Sequence, residues 1–167
     1  MDKDTLMDSI RELSDRDLKI IENVVRALTE MKSNRYPFLG NFLNIREEPQ
    51  SELGVFACSM PITREILNPY RIVYGGATAT LADMAMAWML EGLLPPGDRF
   101  VTIDMQVNYH NPGIGKKLIA KARVIKQAQQ IWQMACTIHN DKGDLIVTSS
   151  GTFLQLERKQ HHNSDNA

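Results

Sequence analysis

Asp83 is the only ionisable side chain between Tyr74 and Glu91, inside a run, Ala77 to Leu94, otherwise rich in alanine, leucine and methionine. A carboxylate in such surroundings loses its hydration, which is costly if it is unpaired and raises its pKa. A raised pKa makes it a better proton acceptor, and perturbed acids gather at functional sites. The same residue could instead be structural, bonded to the hydroxyl of Thr78 or Thr80, or turned to the surface. Gly75-Gly76 stands at the head of the run. Glycines there let a ligand approach the backbone, and free N–H groups at a helix N-terminus can polarise a carbonyl oxygen. A turn that needs glycine geometry explains the pair as well.

Other chemistries find no support. His110, His139, His161 and His162 show no pair at helical ligand spacing with a nearby carboxylate, so no metal site is expected. Cys58 and Cys136 fall within strand alternation and read as small core residues. No Gly-x-Ser-x-Gly elbow, P-loop or Gly-x-Gly-x-x-Gly fingerprint occurs.

The elements that must position these residues follow from periodicity. Residues 1 to about 35 read as helical: Leu18, Ile21, Val25 and Leu28 recur at helical spacing, with Ser14 and Asp17 as a cap and its partner. Their stripe is expected to pack on the domain or on a neighbouring subunit. Arg35-Tyr36-Pro37 ends the pattern. Val55 to Met60 alternates as a strand. The Ala77 to Leu94 run predicts a helix apolar on most sides, hence buried, and Pro95-Pro96-Gly97 stops it. Val101, Ile103, Met105, Val107 and Tyr109 alternate with polar residues as a half-buried strand. Three more strands fit Leu118 to Lys126, Ile131 to His139 and Leu145 to Leu156, so the last four are expected to form an antiparallel meander. One buried helix with such a sheet is an α+β domain, the sheet wrapped around the helix.

The 167 residues fit one domain, and 43% hydrophobic content is enough for a core. The division expected is a helical extension over 1–35, a domain over 36–157 and a polar, disordered tail over 158–167. A formal charge of -1 gives no electrostatic case for nucleic acid or an anionic membrane. The apolar stretch Leu81 to Leu90 is too short to span a bilayer, and Met1 to Asp4 is too polar for a secretion signal. With no paired cysteine spacing, a soluble cytoplasmic protein is expected.

Asn68-Pro69-Tyr70-Arg71-Ile72-Val73-Tyr74-Gly75-Gly76-Ala77-Thr78-Ala79-Thr80-Leu81-Ala82-Asp83 resembles the signature of hot-dog-fold acyl-CoA thioesterases of the phenylacetic-acid-degradation (PaaI-type) branch. Val101 to Tyr109 and Asn111-Pro112 resemble that family's next strand, and the likeness covers about residues 37 to 156. It implies a hot-dog fold, which agrees with the pattern read above, and hydrolysis of an acyl-CoA thioester with an aryl or medium-chain acyl group. The Gly75 N–H would hold the carbonyl oxygen, and Asn68 would add a contact near the carbonyl or sulfur. Asp83 would be the general base for water, or a nucleophile forming a mixed anhydride, and Thr102 would orient the water or the carboxylate. Tyr74 and Gly76 would touch the substrate, although relatives usually carry histidine where Tyr74 stands. In such folds the aspartate and the glycine of one site come from different subunits, which implies a homodimer at least and, by expectation, a homotetramer. No cofactor is implied, because coenzyme A is part of the substrate. Arg71, Arg123 and Lys126 are candidates for its phosphates.

Two rivals are weaker. A hot-dog dehydratase would need a histidine paired with the carboxylate, and none lies near Asp83 in the sequence. A non-catalytic acyl-CoA-binding regulator with N-terminal DNA-binding helices would need a basic extension. Residues 1–35 carry seven Lys/Arg against eight Asp/Glu.

Overall fold

Ser14 starts the longer N-terminal helix as its spacing with Asp17 predicts: its hydroxyl accepts from the Asp17 N–H at 3.3 Å and donates to the Asp17 carboxylate at 2.7 Å. The computed structural model describes residues 2–50 and 52–156, so the expected tail over 158–167 lies outside the described residues. Helices α1 (Lys3–Arg11) and α2 (Asp15–Glu30) form the extension, and the short α3 (Phe38–Phe42) follows Pro37. The expected stripe on α2 holds only in part. Leu18 and Ile21 are half-buried, but Val25 and Leu28 are more than half exposed. The helix is rotated because polar bonds dock it: Asn23 Nδ2 donates to the Phe42 carbonyl at 2.9 Å and to Glu65 at 3.0 Å, and Arg26 donates to the Asn41 carbonyl at 2.9 Å. Ala27, fully buried, marks the inward face.

Strands β1 (Arg46–Glu47), β2 (Val55–Pro61), β3 (Arg99–Tyr109), β4 (Lys117–Ala128), β5 (Ile131–Asn140) and β6 (Leu145–Leu156) make one antiparallel sheet in the order β1-β2-β4-β5-β6-β3. Only β4, β5 and β6 form the expected meander. β3 pairs with β6 at the far edge, so the 110–116 link crosses three strand spacings, roughly 14 Å, a span seven extended residues cover easily. Sequence adjacency suggested a neighbour that topology does not give.

The long helix α4 (Gly75–Leu93) lies against one face of this sheet, with Leu81, Ala82, Ala85, Met86 and Leu90 inaccessible to solvent. Leu118, Ala120 and Ala122 of β4 and Met134, Cys136 and Ile138 of β5 complete the core beneath it. The alanines on both sides leave room for the helix backbone to approach the sheet.

β3 holds the feature on which the site depends. Thr102 pairs with Phe153 but Asp104 pairs with Thr152, so Ile103 is an extra, bulged residue. A bulge exchanges the two faces of a strand. Before it, Phe100 packs edge-on to Phe153 and Thr102 faces α4; after it, Met105, Val107 and Tyr109 face inward. The unbroken alternation read from the sequence put Val101 and Ile103 on the buried face. They are 47% and 54% exposed.

Candidate active site

The segment entering α4 is folded by Asn68. Its Oδ1 accepts from the Tyr70 N–H at 2.9 Å and the Ile72 N–H at 3.3 Å, closing a turn in which Arg71 takes a left-handed conformation. Leu67 bridges Val73, and the Tyr74 N–H donates to the Ile66 carbonyl at 2.9 Å. The helix therefore starts at a fixed point. Tyr74 is its N-cap but supplies no side-chain cap, and the Gly75 N–H has no acceptor among the described residues.

That donor stands in a cavity of about 370 Å³ lined by Asn68, Gly75 and Thr78 on one side and Tyr109, His110 and Gly113 on the other. The Asn68 side-chain nitrogen has no partner among the described residues and remains a donor. Tyr109 Oη donates to the Gly75 carbonyl at 2.8 Å, and the Thr78 hydroxyl donates to the same oxygen at 2.8 Å. A side chain at position 75 would meet the Tyr109 ring, since a Cβ there would lie 3.1 Å from Oη and 3.2 Å from Cζ. Close approach, rather than an unusual φ, is why glycine stands here. His110 Nε2 lies 2.8 Å from the Thr148 hydroxyl.

Asp83 lies elsewhere. It is half-buried, less enclosed than its apolar neighbours suggest, and Thr102 Oγ1 donates to its carboxylate at 3.2 Å. The structural alternative fails for both threonines named from sequence, because Thr78 bonds the Gly75 carbonyl and Thr80 bonds the Gly76 carbonyl. Eight residues of helix separate Gly75 from Asp83, roughly 12 Å of axial rise. The structure thus brings Asn68 and Gly75 into one cavity, and Asp83 and Thr102 into another contact two turns along α4. Tyr74, half exposed, and Gly76 are not among the lining residues of the cavity. Sequence reasoning missed Tyr109 and His110. Their signal was position alone, at the end of a strand and just before Asn111-Pro112-Gly113.

A helix N-terminus with an unpaired donor and a nearby amide suits a developing oxyanion, and a carboxylate held by a hydroxyl suits proton acceptance. A sheet folded over one long central helix, with such groups at the helix start and side, defines a hot-dog domain. Residues 70–147 match the family model of the thioesterase superfamily, which supports a thioester hydrolase, and the fold is that of the PaaI type. Among solved structures, the BH2602 protein of Bacillus halodurans, crystallised with CoA, is 27% identical, with a TM-score of 0.81 over 91% of this chain and 99% of that one. A mutant of the thioesterase SAV0944 of Staphylococcus aureus is 23% identical, with a TM-score of 0.68 over 72% of this chain and 100% of that one. The PaaI protein of the E. coli phenylacetic acid degradation operon is 22% identical, with a TM-score of 0.66 over 81% of this chain and 96% of that one. The last two share the fold. No curated protein matches the chain. Among the described residues, no helix is long and apolar enough to cross a membrane.

Proposed function

We propose that the protein hydrolyses acyl-CoA esters with aryl or medium-chain acyl groups to the free acid and coenzyme A. The observation that carries this reading is the Gly75 N–H at the start of α4, without a partner among the described residues and lining a cavity beside the Asn68 amide. The thioester carbonyl oxygen accepts from these donors, and the helix N-terminus favours the negative charge that grows on it. Asp83, held by Thr102, takes a proton from water as the water oxygen bonds to the carbonyl carbon. The tetrahedral intermediate then collapses, the C–S bond breaks, and the thiolate takes up a proton. The roughly 12 Å between Gly75 and Asp83 prevents one copy from supplying both groups. The site is therefore shared by two copies that meet along β3, an edge strand with exposed Val101 and Ile103. Two such dimers would make the expected tetramer. The acyl group lies along α4 past Asp83, where Met84 and Ala87 are half-buried; Met84 suits variable shapes. Trp88 is engaged elsewhere, packed at a tilt against Tyr36 with ring centroids 4.5 Å apart. CoA in the crystals of BH2602 supports the choice of thiol.

Release of free thiol from a panel of acyl-CoA esters, with light scattering on the same sample, tests the proposal. The expected result is turnover of aryl or medium-chain esters by a species no smaller than a dimer. Binding without release points to a regulator, and a monomer with full turnover removes the shared site.

A further inference from the structure

A second cavity, of about 480 Å³, lies between α2 and the segment that follows β2. Its volume is in the range of small-molecule sites. Four cations and one carboxylate line it, in a chain whose net charge is -1. Arg26 is held by Glu30 and Arg64 by Asp17, but Arg16 and Lys19 are exposed and make no ion pair with any described residue. Below them the wall is apolar, with Ile20 and Phe42 half-buried. A basic rim over an apolar floor with an aromatic ring suits a phosphorylated nucleotide, the phosphates at the rim and the base against Phe42.

The cleft is tied to the candidate active site. Arg64 begins the 3-10 turn Arg64–Ile66, and the Ile66 carbonyl holds the N–H of Tyr74, the residue before Gly75. Chain geometry places the Cα atoms of Arg64 and Gly75 within roughly 16 Å of each other. An extended pantetheine arm can cover that distance. We propose that this cleft, through Arg16 and Lys19, binds the phosphorylated adenosine end of the coenzyme A ester whose thioester lies at Gly75. The inference rests on the acyl-CoA reading above. It gives the helical extension a role in substrate binding and assigns the phosphates to α2 rather than to Arg123 or Lys126 on β4.

The test is the charge-reversed variant Arg16→Glu/Lys19→Glu, both positions lying on the exposed side of α2. KM for the acyl-CoA ester should rise by about tenfold or more with kcat within about twofold, while KM for the N-acetylcysteamine ester of the same acyl group stays unchanged. An unchanged KM for the CoA ester, or an equal rise for both esters, overturns the proposal. Calorimetric titration with adenosine 3′,5′-bisphosphate decides the cleft without turnover. Heat of binding in the parent that is lost in the variant supports it; no heat, or equal heat in both, overturns it. If the parent releases thiol from no ester, the hydrolase mechanism fails and the titration still reads the cleft.

Discussion

Gly75→Ala places one methyl group against the ring that caps the start of α4. The new Cβ would lie 3.1 Å from Tyr109 Oη and 3.2 Å from Cζ, a few tenths of an ångström inside ordinary contact. Two effects oppose each other. Gly75 is outside the left-handed region, so alanine restricts the unfolded chain without backbone strain, stabilising by ~0.4–1 kcal/mol. Against this, the ring must swing away and lose the 2.8 Å bond from its hydroxyl to the Gly75 carbonyl. Such a bond contributes ~0.5–1.5 kcal/mol. The low end applies, because Tyr109 is 55% exposed and the Thr78 hydroxyl still serves that oxygen. The two effects nearly cancel, and Tm should move by less than about 4 °C for a chain of this length. Activity responds differently. The displaced ring and the methyl group would crowd the place proposed for the carbonyl, and a misplacement of about 1 Å costs on the order of 100-fold in rate. Thermal melting and thiol release would be measured on Gly75→Ala, Tyr109→Ala and the double variant. With the ring gone, Gly75→Ala should stabilise by the full ~0.4–1 kcal/mol. Equal destabilisation in both backgrounds would refute the claim that Tyr109 is what requires glycine at position 75.

Tyr74→His, at an exposed N-cap, should keep activity within about tenfold, roughly 1.4 kcal/mol of barrier, and a loss of several orders of magnitude would give the phenol a chemical role. Burial pushes the Cys136 thiol up to about 12 and also raises that of Cys58. The folded protein should therefore resist thiol reagents at neutral pH, with rapid labelling of either cysteine contradicting the packing. The hydrogen bond and charge of Arg26, with Arg46 beside it, hold the Glu30 carboxyl below its usual value. Its contribution is fully present above the ordinary carboxylate range and is lost as pH falls through the lowered value. Hydrogen exchange in α2 should therefore quicken on acidification, and Glu30→Gln should remove that part of the pH dependence.

The helix and strands were legible because each has one dominant period. α4 is apolar nearly all round and could only be a core helix, and β4, β5 and β6 lie within two residues of the positions their alternation predicts. Residues Gly75 and Asp83 stood out by type. What the sequence could not show is the bulge at Ile103, since an extra residue leaves the apolar-polar alternation of β3 intact while reversing its faces. That reversal aims both Thr102 and Tyr109 at α4. The docking of α2 was also hidden, because it runs through Asn23 and Arg26, polar residues that a search for apolar stripes passes over. The pairing of β3 with β6 depends on where a link crosses, which no local pattern records.

Turnover and melting of Asp83→Asn, measured on one preparation, test the mechanism most directly. The amide keeps the size of the carboxylate and can still accept from Thr102, but it cannot take a proton from water. It is also easier to bury than a charge, so Tm should equal that of the parent or exceed it. Thiol release should fall by roughly 10²–10⁴-fold, the loss expected for a positioned base, with KM little changed. A lowered Tm with normal turnover would make Asp83 structural, and full activity in a well-folded Asp83→Asn protein would contradict the mechanism.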